Sequence, residues 1–105
     1  IIYAVKQVFM NYLKIEKNQE RIEGILYLLN FLSLEKEATK FINIDFLISK
    51  ASDYNLQGLA YVLEIIGDTL DSRYLPFLEK YSNSDKDILK EAANEAIRTI
   101  EDEGI

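Results

Sequence analysis

A repeat with a period of 34 residues constrains the fold of this chain more than any other feature of its sequence. Three windows align without a gap: IEGILYLLNFL (22–32), LQGLAYVLEII (56–66) and KEAANEAIRTI (90–100). Five columns, spaced by one, three, one and three residues, are small or apolar in every copy: Gly24, Gly58 and Ala92; Ile25, Leu59 and Ala93; Leu28, Val62 and Ala96; Leu29, Leu63 and Ile97; Leu32, Ile66 and Ile100. This spacing is typical of an amphipathic α-helix, so the sequence predicts one kind of helix used three times.

A second and shorter apolar segment accompanies each of these helices. The segments are 1–14, 41–51 and 73–81. One proline and four glycines leave few places for tight turns, which argues against an all-β sandwich. We therefore predict an all-α fold, an α–α superhelix of about six antiparallel helices, near 2–15, 20–33, 39–51, 55–67, 73–82 and 86–101.

Several short signals predict how these helices begin and end. Gly67 suits a helix C-terminus in the left-handed conformation. Pro76 is tolerated only in the first turn of a helix, where its missing N–H would have no partner. Asp85 is a candidate N-cap for the last helix, with Ser84 as the alternative. The stretch 63–81 is therefore interpreted as a hairpin between two packed helices, not as a phosphate or metal loop.

Composition narrows the functional classes. The chain has no cysteine and no histidine, which excludes disulfides and thiol chemistry and removes the commonest general base. Carboxylate pairs such as Glu91 and Glu95 are interpreted as solvated helix faces, because dimetal sites in helical bundles also use histidine. We therefore predict no catalytic residue, no cofactor and no metal site.

Charge and hydropathy bear on partners and location. The formal charge is −6, from 18 acidic and 12 basic residues, which disfavours nucleic acid and is typical of solubility or of a basic protein partner. The apolar start, 1–13, is too short and too often interrupted to cross a bilayer. We predict a cytoplasmic protein with no membrane segment and, because the initiator methionine is absent, a domain of a longer chain.

The stretch IIGDTLDSRYLPFLEKYSNSDKDILKEAANEAI (65–97) resembles HEAT repeats of the short bacterial type known from phycobilisome lyases. The helix end, second helix, turn and next helix of that pattern are matched by Ile66-Gly67-Asp68, Leu75-Pro76, Asp85 and Ala92-Ala93. The match covers about 55–101 and is weaker over 20–54, where Ser33-Leu34 replaces Gly-Asp. The resemblance implies a solenoid fragment, a single HEAT-like domain over 1–105 with repeat units at about 20–53, 54–87 and 88–105 after a helix at 1–15.

The resemblance also implies where a partner binds, because the second helices of HEAT repeats line their concave surface. The outward residues predicted on those helices are Asn11, Lys14, Asp45, Ser49, Arg73, Tyr74 and Lys80. The N-terminal helix is apolar on several sides, which indicates a surface that is covered. Tyr27 and Tyr61 occupy one repeat column and are either half-buried spacers between helices or aromatic anchors for a partner.

The leading hypothesis is a non-catalytic protein–protein interaction or scaffold module that binds a protein of unknown identity. Binding is expected through the concave face or through the apolar N-terminal end. Three alternatives stay open. The repeat family suggests a bilin-lyase-type enzyme or accessory factor, and HEAT-like DNA glycosylases suggest DNA binding, which the negative charge opposes. A small acidic helical chain is also compatible with an immunity protein or inhibitor of a basic toxin.

Overall fold

The computed structural model describes residues 2–33 and 42–104. Within these ranges the chain forms six α-helices in contact with one another and no β-strand, which confirms the predicted all-α fold. The helices are α1 (Ile2–Ile15), α2 (Gln19–Leu32), α3 (Ile44–Ser49), α4 (Leu56–Asp68), α5 (Leu75–Glu79) and α6 (Asp87–Glu103). Two 3₁₀ turns accompany the short helices, and they lie at Ala51–Asp53 and Ser72–Tyr74.

Two of the second helices, α3 and α5, are shorter than the sequence predicts, whereas α1 has the predicted bounds. The segment predicted as a helix at 39–51 contains α3, which Asn43 caps by accepting a hydrogen bond from the Phe46 N–H at 3.0 Å. Residues 39–41 of that prediction lie outside the described residues. The segment predicted at 73–82 divides into a 3₁₀ turn and α5 because Pro76 has no N–H and is confined to a first helical turn. The predicted position of Pro76 is confirmed.

Gly67 does not end a helix in the left-handed conformation, so that prediction is wrong. It lies inside α4 and is buried, and the residue with positive φ is Leu70 at 56°. A Cβ added to Gly67 would lie 2.8 Å from Cα and Cβ of Ala96. The glycine is therefore required for the close approach of α4 and α6, and the chain turns a few residues later.

The start of α6 also differs from the sequence prediction. The helix begins at Asp87, its N-cap is Lys86, and no side chain caps it. Asp85 is therefore not the N-cap. Ser84, the other N-cap candidate, does not cap the helix either. Its Oγ accepts a hydrogen bond from the Lys86 N–H at 3.1 Å and so stabilises the turn before α6.

Helix α4 is the centre of the packing, with α6 against one side and α2 against the other. Each second helix packs on one of these three helices: α1 on α2, α3 on α4 and α5 on α6. The apolar side chains with no exposed surface come from five of the six helices and form one core, including Leu26, Leu29, Leu47, Leu63, Ile65, Ile66, Leu78 and Ala93. Nearly every face of α4 is thus removed from water, which drives the stacking.

The 34-residue register appears directly in the contacts between α2 and α4. Asn30 Nδ2 donates to Glu64 Oε2 at 2.9 Å, across 34 residues of sequence. The rings of Tyr27 and Tyr61, separated by the same number of residues, meet edge to face with centroids 5.5 Å apart. These contacts advance in the same direction along both helices, so α2 and α4 are parallel. The tyrosine pair bridges α2 and α4, as a spacer would, while Tyr27 stays 52% exposed, so both sequence interpretations stay open.

Candidate functional site

The residues predicted to bind a partner are not all on the surface. Six of the seven have exposed side chains: Asn11, Lys14, Asp45, Ser49, Arg73 and Lys80. Tyr74 is the exception, because its side chain is only 8% exposed and belongs to the core. It ends the 3₁₀ turn before α5, and the guanidinium of Arg73 lies 4.9 Å from its ring centroid and covers it. The prediction of Tyr74 as an outward residue is corrected accordingly.

The structure distributes the predicted residues over two clefts. Asp45, Arg73 and Tyr74 line a cavity of about 410 Å³ between α3 and the turn that follows α4. Lys14 lines a separate cleft of about 600 Å³. Asn11, Ser49 and Lys80 are exposed but are not in the lining of either cavity. The predicted set is therefore brought together only in part and does not form one concave site.

Most of the large apolar side chains that are exposed lie on α1 and α2, and the internal repeat explains why. On α4, Gly58, Val62 and Ile65 share one face, because they follow the i, i+4, i+7 spacing. That face points toward α2, since a Cβ on Gly58 would lie 3.3 Å from Cδ1 of Leu26. Val62 and Ile65 are both 0% exposed. Helix α4 thus uses a glycine and two aliphatic residues to pack beside α2.

The same face recurs on α2 and is uncovered. One period earlier, the equivalent residues are Gly24, Leu28 and Phe31. Leu28 is 43% exposed and Phe31 is 64% exposed. A Cβ added to Gly24 would meet no atom within 4 Å. Helix α2 therefore presents to solvent the face that α4 buries against α2.

Helix α1 and the segment 42–46, which includes the start of α3, show the same difference. Val8 corresponds to Ile42 in the 34-residue register, and their side chains are 51% and 5% exposed. Tyr12 corresponds to Phe46, which is packed against the core, whereas Tyr12 is exposed. We call the surface formed by Val8, Tyr12, Gly24, Leu28 and Phe31 the open end. The apolar character of α1 is evident in the sequence, but the α2 part of the open end is not, because a repeated column does not show which copy is covered.

The opposite end of the stack is polar. Ala60 and Gly67 of α4 are both buried, and Gly67 faces α6 directly. Their equivalents on α6 are Asn94, whose Nδ2 donates to the Ser82 carbonyl at 3.1 Å, and Glu101, which is exposed. The outer face of α6 is therefore polar at positions equivalent to buried small residues of α4. Exposed large apolar side chains thus occur on α2 but not on α6.

Three carboxylates, those of Glu64, Asp68 and Glu95, line a cavity of about 230 Å³ between α2, α4 and α6, and two of them have raised pKa values. Burial raises the pKa of Asp68, and the hydrogen bond from Ser33 partly opposes this. Burial also raises the pKa of Glu64. The hydrogen bond from Asn30 lowers it, and the negative charge of Asp68 raises it further. Ser33 Oγ is 2.8 Å from both Asp68 Oδ2 and the Asn30 carbonyl oxygen, and its single proton can serve only one of them.

Asp68→Asn should increase the free energy of unfolding at pH 7. The raised pKa means that proton binding by Asp68 favours the native state, and this contribution of the native carboxyl is complete below its ordinary pKa of about 3.8. It is lost as pH rises through the raised pKa. The amide introduced by the substitution donates to Ser33 Oγ at every pH, so the gain should shrink as the pH falls toward 4. Urea denaturation between pH 4 and 8 measures this gain. Glu91→Gln, at an exposed position of α6, is the control for the change in net charge.

Tyr54 carries a buried hydroxyl with no hydrogen-bond partner among the described residues. Burial, and secondarily the charge of Asp53, raises the pKa of this phenol, which is consistent with poor solvation. Tyr54→Phe removes an unpaired buried polar group and should stabilise the fold by about 1 kcal/mol. Thermal and urea unfolding measure the change. The same substitution at exposed Tyr12 is the control and should have little effect, and a loss of stability at Tyr54 would contradict the expectation.

The described residues offer little support for other kinds of site. No group of three or more acidic, histidine or cysteine side chains in 2–33 and 42–104 is placed to hold a metal ion. None of the helices in those ranges combines the length and apolar character that crossing a bilayer requires. Among known proteins, no family model, curated protein or solved structure matches this chain.

Proposed function

We propose that this chain is a non-catalytic helical-repeat module, of the HEAT-like kind, that binds a protein partner through its open end. The observation that carries the proposal is the pair of equivalent faces on α2 and α4. On α4, Val62 and Ile65 have no exposed surface, whereas on α2 the equivalent Leu28 and Phe31 are exposed. Exposed apolar side chains gathered on one face are typical of interaction sites.

The covered copy of this face indicates what the partner supplies. On α4 the occupant is α2, a parallel α-helix that brings Leu26 against Gly58. An equivalent occupant of the open end is an amphipathic helix that lies alongside α2, parallel to it, and passes close to Gly24. Helix recognition by an apolar groove or face uses such anchors at i, i+3, i+4 and i+7 spacing.

The polar outer face of α6 argues against stacking of this chain on itself in open-ended filaments. A head-to-tail contact would place Asn94 and Glu101 against Leu28 and Phe31, and burial of the Glu101 charge without a partner would be costly. The partner helix therefore differs from the outer face of α6, and it has an apolar face with an aliphatic side chain opposite Gly24, as Leu26 lies opposite Gly58.

Selection of amphipathic helices from a displayed library tests the proposal. Helices selected on the wild-type chain should bind the Leu28→Gln/Phe31→Gln double variant at least tenfold more weakly, because apolar anchors at the centre of an interface carry most of the binding energy. The matched control is Leu56→Gln, which removes an exposed apolar side chain from α4 outside the open end and should leave binding unchanged.

Three results would contradict the proposal. One is equal binding of the selected helices to the wild-type chain and to the double variant. Another is loss of binding only when Arg73 and Lys80 are replaced, which would favour the second helices. The third is a stable homodimer, seen by sedimentation, that the double variant abolishes, since the open end would then be covered by a second copy of the chain.

A further inference from the structure

The cleft of about 600 Å³ lies between the end of α1, the start of α2, and α3 with its 3₁₀ turn. Its volume is within the range of about 300–1,000 Å³ that is usual for binding sites. The apolar part of the lining includes Leu13 and Ile22, which are buried, and the partly buried ring of Phe46. Lys14, Lys17 and Lys50 also line it and are exposed, so we call it the lysine cleft.

The charge of the lysine cleft is opposite to that of the whole chain. Three lysines meet there on a chain with a formal charge of −6. None of the three has an ion-pair partner among the described residues. Of the two carboxylates in the lining, Glu16 already accepts hydrogen bonds from the Lys17 and Asn18 N–H groups. Glu16 also lies 3.8 Å from the guanidinium of Arg21, which leaves Asp53 as the lining carboxylate without a charged partner in the part of the chain that the structure describes.

We propose that the lysine cleft binds an acidic peptide segment that carries one bulky apolar side chain. The apolar side chain enters the space beside Leu13, Ile22 and Phe46, and flanking carboxylates pair with the ammonium groups of Lys14, Lys17 and Lys50. The combination of an apolar floor and a cationic rim favours a peptide over nucleic acid. A nucleic-acid site of this size would need a wider basic surface to engage successive phosphates, and the remainder of the chain is acidic.

This site is separate from the open end, so the two proposals can fail independently. The probe is a blocked synthetic peptide, Gly-Asp-Glu-Phe-Glu-Asp-Gly, titrated into the ¹⁵N-labelled chain. It should shift the amide resonances of Lys14, Lys17, Phe46 and Lys50. Lys14→Glu/Lys50→Glu should weaken binding at least tenfold, because two attractions to an acidic peptide are lost and two repulsions replace them. Lys86→Glu/Lys90→Glu, which makes the same charge change at exposed positions near α6, should weaken it less than twofold.

Two altered peptides test the two halves of the recognition. Replacement of the acids by Asn and Gln, or of Phe by Ser, should abolish the shifts at the cleft, and retention of binding by either peptide would overturn the proposal. Phenylacetate tests a small carboxylate as the alternative source of the same chemistry. If phenylacetate saturates the cleft at the concentration at which the peptide does, the assignment to a peptide is wrong. Equal weakening of peptide binding by Lys14→Glu/Lys50→Glu and by Lys86→Glu/Lys90→Glu would also overturn it.

Discussion

Ile65→Gln is expected to destabilise the chain by about 3–5 kcal/mol, whereas Phe31→Gln should change the free energy of unfolding by less than about 1 kcal/mol. The two positions belong to one repeat column. Ile65 is 0% exposed, so its replacement places an amide among apolar neighbours and loses packing. Phe31 is mostly exposed on α2 and has no covering helix among the described residues. The difference between the variants measures how far the two equivalent faces differ.

Urea denaturation followed by circular dichroism gives both free energies under the same conditions. Val62→Gln and Leu28→Gln provide a second matched pair on the same faces and should show the same ordering. Equal destabilisation by Phe31→Gln and Ile65→Gln would mean that the α2 face is covered in the isolated chain. The open end would then not exist, and the proposed function would lose its support.

Gly67→Ala is the second substitution with a large expected effect, a loss of about 1–3 kcal/mol. Alanine favours a helix over glycine by about 1 kcal/mol, but here the added methyl group would lie 2.8 Å from backbone and side-chain carbons of Ala96. Backbone atoms cannot move aside as a flexible side chain can. Helices α4 and α6 must therefore separate, which loosens the most extensive helix–helix contact of the fold.

Gly24→Ala is the matched control and should have the opposite sign. A methyl group at Gly24 meets no atom within 4 Å, so the helix propensity gain of about 0.5–1 kcal/mol should appear as increased stability. Thermal unfolding of both variants measures the effect. Stabilisation by Gly67→Ala would show that α4 and α6 are not as close as the structure has them.

The sequence predicts the first helices of the repeats well because their signal is strong. Five apolar columns recur across three copies, and helices α2, α4 and α6 lie within a few residues of the predicted ranges. The second helices give weaker signals, since α3 and α5 are too short for a full apolar stripe and depend on Asn43 and Pro76 for their starts. The lengths of α3 and α5 therefore depend on capping and on backbone chemistry, which the spacing of apolar residues does not predict.

The site was predicted less completely, for reasons of geometry. Tyr74 looks like an outward aromatic residue in a polar turn, but the 3₁₀ turn directs its ring into the core. Gly67 looks like a helix end because glycine serves both chain reversal and close packing, and sequence alone does not distinguish the two. The open end follows from the repeat only when burial is compared between copies. Leu28 and Val62 are chemically alike and differ only in their neighbours.

The most direct test of the open end is to supply the missing neighbour. A chain with a second copy of residues 18–34 added ahead of residue 1 places another helix of the α2 kind one period upstream, in register. We predict that the Leu28 methyl groups and the Phe31 ring then become as inaccessible to a soluble nitroxide, by paramagnetic relaxation in NMR, as Val62 and Ile65 already are. If the added helix leaves the accessibility of Leu28 and Phe31 unchanged from that of the original chain, the face of α2 is not a site that accepts a neighbouring helix.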